Sequence, residues 1–147
     1  MQNINLTNIK DLQKDYSVVI RRRVAGGNTR PYYYLVDSLN ITLSDRRIIH
    51  IPAGFVWDLS SVPRFLWGAL PPDGDFELAS LIHDFLYIHL DERGRKFADD
   101  EMLLWSKVVS GTADKWSARN FDNQLRYVAV RVFGWFVWDR NKRRKKV

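Results

Sequence analysis

The apolar residues of this chain change their spacing once, and that change limits what it can fold into. Up to residue 51 they come in short runs or in alternation. Residues 17–20, 32–36 and 48–51 are compact groups of strand formers, and 39–43 alternates apolar with polar. Alternation sets one side of an extended chain on a core and the other in water. From residue 77 the apolar positions recur at helical spacing instead. This spacing predicts helices over 77–90, over 95–110 and within 113–138, the last open to a break near Asn120. Strands grouped ahead of helices argue for an α+β fold. The expected architecture is a small N-terminal antiparallel sheet packed on a C-terminal half of three to four helices.

The residues between these elements fit the same plan. Ala25-Gly26-Gly27-Asn28 is a turn cluster and Ser44-Asp45-Arg46-Arg47 a hairpin turn. Residues 52–61 read as a loop. Ser60 or Ser61 can cap a short helix running to about Leu70, with Pro63 in its first turn. Pro71-Pro72-Asp73-Gly74 stops that helix, Asp91-Glu92-Arg93-Gly94 separates the next two, and Gly111 ends the second of them. A chain of 147 residues suffices for one domain with a real core. The expected organisation is a single domain over 1–138, β-rich over 1–53 and helical over 54–138, followed by a basic tail over 139–147.

Charge and composition exclude several classes. Hydrophobic residues make up 46% and charged residues 27%, a globular balance. Aromatics reach 14%, with six Trp, which points to a tightly packed core or an aromatic interface. With no cysteine there is no disulfide, thiolate metal site or cysteine nucleophile, which fits a reducing compartment. Of the net charge of +6, residues 139–147 carry +5, which leaves a body of +1. Specific nucleic-acid binding is not expected, because such domains spread basic residues over a folded face. Residues 1–5 lack the basic and apolar regions of a signal peptide, and no apolar run is long enough to span a bilayer.

The chemistry concentrates in the helix from residue 77. Ser80, His83, Asp84 and Tyr87 fall within one arc of about 100°. Leu78, Leu81, Ile82, Phe85 and Leu86 occupy most of the rest. A neutral imidazole can take a proton from water near neutrality. A neighbouring carboxylate can hold a hard cation. A second carboxylate can fix the ring's tautomer by accepting its other N–H. Asp99 or Asp100 can supply that second group, since a short break favours an antiparallel helix pair that brings Asp99 level with residues 83–87. The plainer alternative is a mid-helix Asp paired with an Arg, for which Arg95 is available.

Other polar residues are less patterned. Asp58 is either a metal ligand or second acid near His83, or a turn former. Ser60 and Ser61 read better as caps than as nucleophiles. A triad of Ser61, His83 and Asp99 lacks the glycines of a nucleophile elbow. His50 and His89 have no patterned neighbours, and Asp91 and Glu92 read as solvated loop charges.

Two resemblances add to these readings. Gly54-Phe55-x-x-Asp58-x-x-Ser61-Val62-Pro63, Pro71-Pro72-x-Gly74, His83-Asp84-x-x-Tyr87, Arg95-x-x-Ala98-Asp99 and Tyr127-x-Ala129-Val130-Arg131-x-Phe133-Gly134 together resemble domain-of-unknown-function family 1353. That family is common in phages and prophages, so the resemblance implies such an origin without naming a reaction. Within it, His83-Asp84-Phe85-x-Tyr87 followed by Arg95 and Asp99 looks like the centre of phospholipase A2 enzymes. Carried over, His83 is the base that activates water, Asp84 the calcium ligand, and Tyr87 and Asp99 the groups that orient His83. Backbone carbonyls for calcium would come from 52–58 or 72–75. Leu86 stands where those enzymes have a cysteine, and their glycine-rich calcium loop is not found.

Two functions follow as expectations. One is a calcium-dependent lipid-ester hydrolase. The other is a non-catalytic virion component, a tail or baseplate protein that uses the polar stripe structurally. The corresponding partners are a lipid substrate or other phage structural proteins, and the location is the virion or the host cytoplasm. The apolar stretch 127–138, with Trp135 and Trp138 ahead of the lysines and arginines of 142–146, reads either as a core helix with a solvated tail or as a contact with a membrane surface.

Overall fold

The computed structural model describes residues 2–7, 32–58, 76–111 and 118–146. They divide between two compact units, Met1–Asp58 and Leu59–Val147. The first unit holds the strands β1 (Gln2–Ile4), β2 (Tyr33–Tyr34), β3 (Leu39–Thr42), β4 (Ile48–Ile51) and β5 (Val56–Trp57). The second holds the helices α1 (Glu77–His89), α2 (Gly94–Val109) and α3 (Ala118–Lys145). The α+β class read from the sequence is the class observed. The expected strand at 17–20, the turn at 25–28, and the short helix at 61–70 with its following turn lie outside the described residues.

β3 and β4 form the expected hairpin, with Leu39 opposite Ile51 and Thr42 opposite Ile48. Alternation on β3 buries Leu39 and Ile41 on one face, where Ile4, Leu43 and Ile51 are also buried. The turn is closed by Leu43 N–H donating to Arg47 O (2.8 Å) and by Asp45 Oδ1 accepting from Arg47 N–H (3.1 Å). Arg46 takes the left-handed backbone that this tight connection requires (φ 70°).

One expectation is corrected. The sheet is not wholly antiparallel, because β1 pairs with β3 in parallel, Gln2 opposite Leu39 and Ile4 opposite Ile41. The sheet order is β1-β3-β4. A parallel pair needs a long connection, and more than 30 residues separate these two strands, so the chain allows it. β2 and β5 form a separate antiparallel pair in which the Tyr33 and Trp57 rings stack at 5.5 Å.

The helices fall close to their predicted bounds, apart from the last. α1 is buried on nearly every side, its polar stripe of Ser80, His83, Asp84 and Tyr87 included. It ends at Leu90, which takes the left-handed conformation (φ 53°) while Asp91 N–H donates back to Leu86 O (3.0 Å). Asp91 then accepts from Arg93 N–H (2.9 Å), and α2 begins at Gly94. α3 continues without a break at 120 and runs to Lys145, so most of the segment read as a tail is helical. Two of its side chains reach the end of α1. Asn141 Nδ2 donates to Tyr87 O (3.0 Å) and Lys145 Nζ to His89 O (2.6 Å). These are carbonyls of the last turn of α1, where the helix lacks internal donors and favours positive charge. Among the described residues, no helix is long and apolar enough to cross a membrane.

Candidate active site on three helices

Side-chain direction on α1 puts His83 and Tyr87 one turn apart, and their rings lie 4.1 Å apart. α2 packs against this face. Ala98 is fully buried, and with no bulk there the backbones approach closely enough for Asp99 to reach both rings. Asp99 Oδ1 accepts from His83 Nε2 (2.9 Å) and from the Tyr87 hydroxyl (2.6 Å). The other ring nitrogen of His83, Nδ1, faces Asp84 Oδ1 at 3.3 Å. His83, Asp84, Tyr87 and Asp99 are all buried.

α3 closes the other side. Arg131 Nη1 donates to Asp99 Oδ2 (2.7 Å), and Arg95 Nη1 stands 3.6 Å from the same oxygen. Arg95 also donates to the carbonyls of Val130 (3.2 Å) and Arg131 (2.9 Å), tying α2 to the α3 backbone. The Trp138 and Tyr87 rings meet in a T-shaped pair at 5.1 Å. Gly134 is buried against Tyr87, and a Cβ there would overlap the phenol oxygen.

Of the two carboxylates offered by the sequence, Asp99 serves the ring. Asp100 faces outward and accepts from Tyr127 (2.8 Å) and Lys96 (2.5 Å). Ser80, on the same stripe, donates to Glu77 O (2.7 Å) within its own helix. His50 is exposed and paired with Asn40, and His89 is exposed at the end of α1. Asp58 closes the other unit, while Ser60 and Ser61 lie outside the described residues. Among the described residues no group of three His, Asp or Glu is placed to hold a metal ion.

Arg131 and Gly134 carry site roles that the helical arc of α1 did not suggest. The signal for both was the motif around residues 127–134, which has no chemical meaning until α3 is laid beside α1. Arg95, which the sequence offers as an ion-pair partner and as part of both resemblances, also holds the α3 backbone.

The electrostatics follow from this packing. Burial disfavours the His83 cation, but the carboxylates of Asp84 and Asp99 outweigh it and hold the imidazole above its ordinary value of 6.5. For Asp99 burial again opposes charge, and His83, Tyr87 and Arg131 outweigh it, keeping the carboxyl below its ordinary value of 3.8. Burial and the neighbouring Asp99 push the Tyr87 phenol far up, so it stays a hydrogen-bond donor.

A stability profile follows. The His83 cation stabilises the fold fully below pH 6.5, and that contribution is lost as pH rises through the raised folded value. The slope is about 1.4 kcal/mol per pH unit across that interval. Asp99 contributes in the opposite sense, present above 3.8 and lost as pH falls through its depressed folded value. Urea midpoints measured from about pH 3 to about pH 9 should peak between the two, and His83→Gln should flatten the alkaline side. An unchanged alkaline slope in that variant would show that another group causes it.

The family model described as "Protein of unknown function (DUF1353)" matches residues 33–130. The chain belongs to this family. The DUF1353 match takes in β2 to β5, all of α1 and α2 and the first part of α3, so His83, Asp84, Tyr87, Asp99 and Arg95 lie inside it. It stops one residue short of Arg131, although Arg131 and Gly134 complete the site. No curated protein and no solved structure matches the chain.

Proposed function

We propose that this DUF1353 protein is a phage- or prophage-encoded hydrolase of lipid esters, of the phospholipase A2 type, acting with calcium. One observation carries this reading: Asp99 Oδ1 accepts from both His83 Nε2 and the Tyr87 hydroxyl. A ring held in this way by Nε2 can take a proton only at Nδ1, the nitrogen beside Asp84. The base is therefore oriented before any substrate arrives, and Arg131 keeps Asp99 ionised for the imidazolium that forms. His83 acts as a base only in the fraction that has lost its proton. Activity should therefore rise with pH through the raised His83 value, while the stability supplied by that cation falls.

The phospholipase A2 resemblance makes Asp84, which faces Nδ1 of the ring at 3.3 Å, the calcium ligand, while both oxygens of Asp99 are engaged by His83, Tyr87 and Arg131. Hard-cation chemistry suits a carboxylate, and the rest of the shell would come from backbone carbonyls and water. When bound, the ion would supply positive charge for a developing oxyanion.

Fatty-acid release from phospholipid vesicles, with calcium and with chelator, tests the reading beside calorimetric calcium titration. His83→Ala should lose about 10²–10⁴-fold in rate, and Asp84→Asn should lose ion binding. No ion binding together with no hydrolysis would sink the proposal.

The burial of His83, with both ring nitrogens facing carboxylates, favours a second reading. In it the network is a structural lock between helices in a non-catalytic tail or baseplate component. That version fails if the protein is absent from purified virions.

A further inference from the structure

α3 is apolar on two sides. One side holds Val130, Gly134 and Trp138, buried towards α1 and α2. The opposite side should then be polar, as on most surface helices. Instead Phe121, Val128, Val132, Trp135 and Phe136 fall within an arc of about 100°, and all are exposed, Phe121 at 69% and Phe136 at 64%. The stripe is about 24 Å long at 1.5 Å per residue. Beyond it the same arc continues into Lys142 and Arg143, which are exposed, with Arg140 and Arg144 at its flank and the exposed Lys146 just past the helix end. An apolar aromatic stripe and cationic residues of the C-terminal end thus share one face of α3.

Three surfaces can cover such a face, and charge decides among them. A second copy in parallel would set two cationic ends side by side. In antiparallel pairing each cationic end would lie near the partner's residues 121–122, where Asp122 is the one acid. Apart from Asp139, itself among the basic residues, α3 carries no other acidic side chain. A nucleic acid would satisfy the cations but leave the aromatic stripe in water. A bilayer with anionic headgroups satisfies both, since rings settle at the headgroup level and basic residues meet the surface charge.

We propose that the outward face of α3 docks this protein onto anionic lipid surfaces, with the helix lying in the interface plane. Phe121, Val128, Val132, Trp135 and Phe136 enter the headgroup boundary, and Lys142, Arg143 and Lys146 meet the anionic lipids. Docking needs no reaction at His83, whose side chain lies under the opposite face of α3.

The test uses the full chain and vesicles of ether-linked lipids, which have no ester to cleave, so loss of hydrolysis and loss of docking remain distinguishable. Vesicles of phosphatidylcholine with ~30% phosphatidylglycerol should pull the protein down, with a blue shift of tryptophan emission, and pure phosphatidylcholine should bind it at least about tenfold more weakly. Lys142→Ala with Arg143→Ala should weaken binding about 25-fold, at about fivefold per charge. Trp135→Ser with Phe136→Ser should weaken it at least about tenfold with the helical circular dichroism unchanged. Raising salt from about 0.1 M to about 1 M should release most of the protein. No binding to anionic vesicles, or binding that neither double variant weakens, would overturn the proposal. So would a lipid-free dimer that Trp135→Ser with Phe136→Ser dissolves, because a second copy would then own this face.

Discussion

Asp99→Ala is expected to destabilise the helical unit by about 3–5 kcal/mol, as removal of one partner from a buried charge network does. Asp99 is wholly buried and is the point where all three helices meet. Its loss strands the Tyr87 hydroxyl and leaves Arg131 and His83 without their acceptor. His83 can relieve part of the cost by losing its proton, and Arg131 reaches solvent, so the lower half of the range is the better estimate. Asp99→Asn separates charge from shape. The amide fills the space but aims two donors at a site already supplied with three, so it should cost nearly as much as alanine. Asp100→Ala is the contrast one residue away. That carboxylate is exposed, its partner Lys96 more so, and its removal should cost no more than about 1 kcal/mol. Urea denaturation of the three variants measures all of this. Equal losses at 99 and 100 would mean that the buried network is not what holds the helices together.

That contrast also shows what could be read from the sequence. Helical spacing placed His83, Asp84 and Tyr87 on one face, and the short break at 91–94 placed Asp99 or Asp100 opposite. Spacing alone leaves the choice between these neighbouring carboxylates open, because it depends on the rotation of α2 about its axis; the resemblance to phospholipase A2 is what names Asp99. Strand content was legible where alternation was long enough, as on β3 and β4. β1 and β5 have three and two residues, too few to establish a period, and β1 gains its definition from pairing with distant β3. α3 ends beyond residue 138, the limit that spacing suggests, because a run of lysine and arginine carries no apolar period to mark it as helical. Its helical state is favoured by good intrinsic propensity and by Asn141 and Lys145 fastening it to the end of α1. Arg131 and Gly134 belong to the site only through packing between helices, which no single-helix pattern encodes.

Gly134 permits the sharpest test of that packing. Glycine within a helix costs about 0.5–1 kcal/mol relative to alanine, so on propensity alone Gly134→Ala should stabilise α3. Against this, the new Cβ would overlap the Tyr87 hydroxyl oxygen. The phenol cannot retreat freely, because it donates a 2.6 Å bond to Asp99 and Trp138 backs its ring. Overpacking of a tight core costs about 1–3 kcal/mol, and a hydrogen bond to a charged acceptor contributes about 1.5–3 kcal/mol. The steric and hydrogen-bond losses therefore outweigh the propensity gain, and Gly134→Ala should destabilise by about 2–4 kcal/mol. Tyr87→Phe removes the oxygen that the methyl would strike. In that background Gly134→Ala should cost less than about 1 kcal/mol or become stabilising, giving a coupling of at least about 1.5 kcal/mol in the double-mutant cycle. Additive losses would mean that the phenol and α3 do not touch. Coupling of the expected size would establish that Gly134 is small so that Tyr87 can reach Asp99, and that α3 helps to set the orientation of His83.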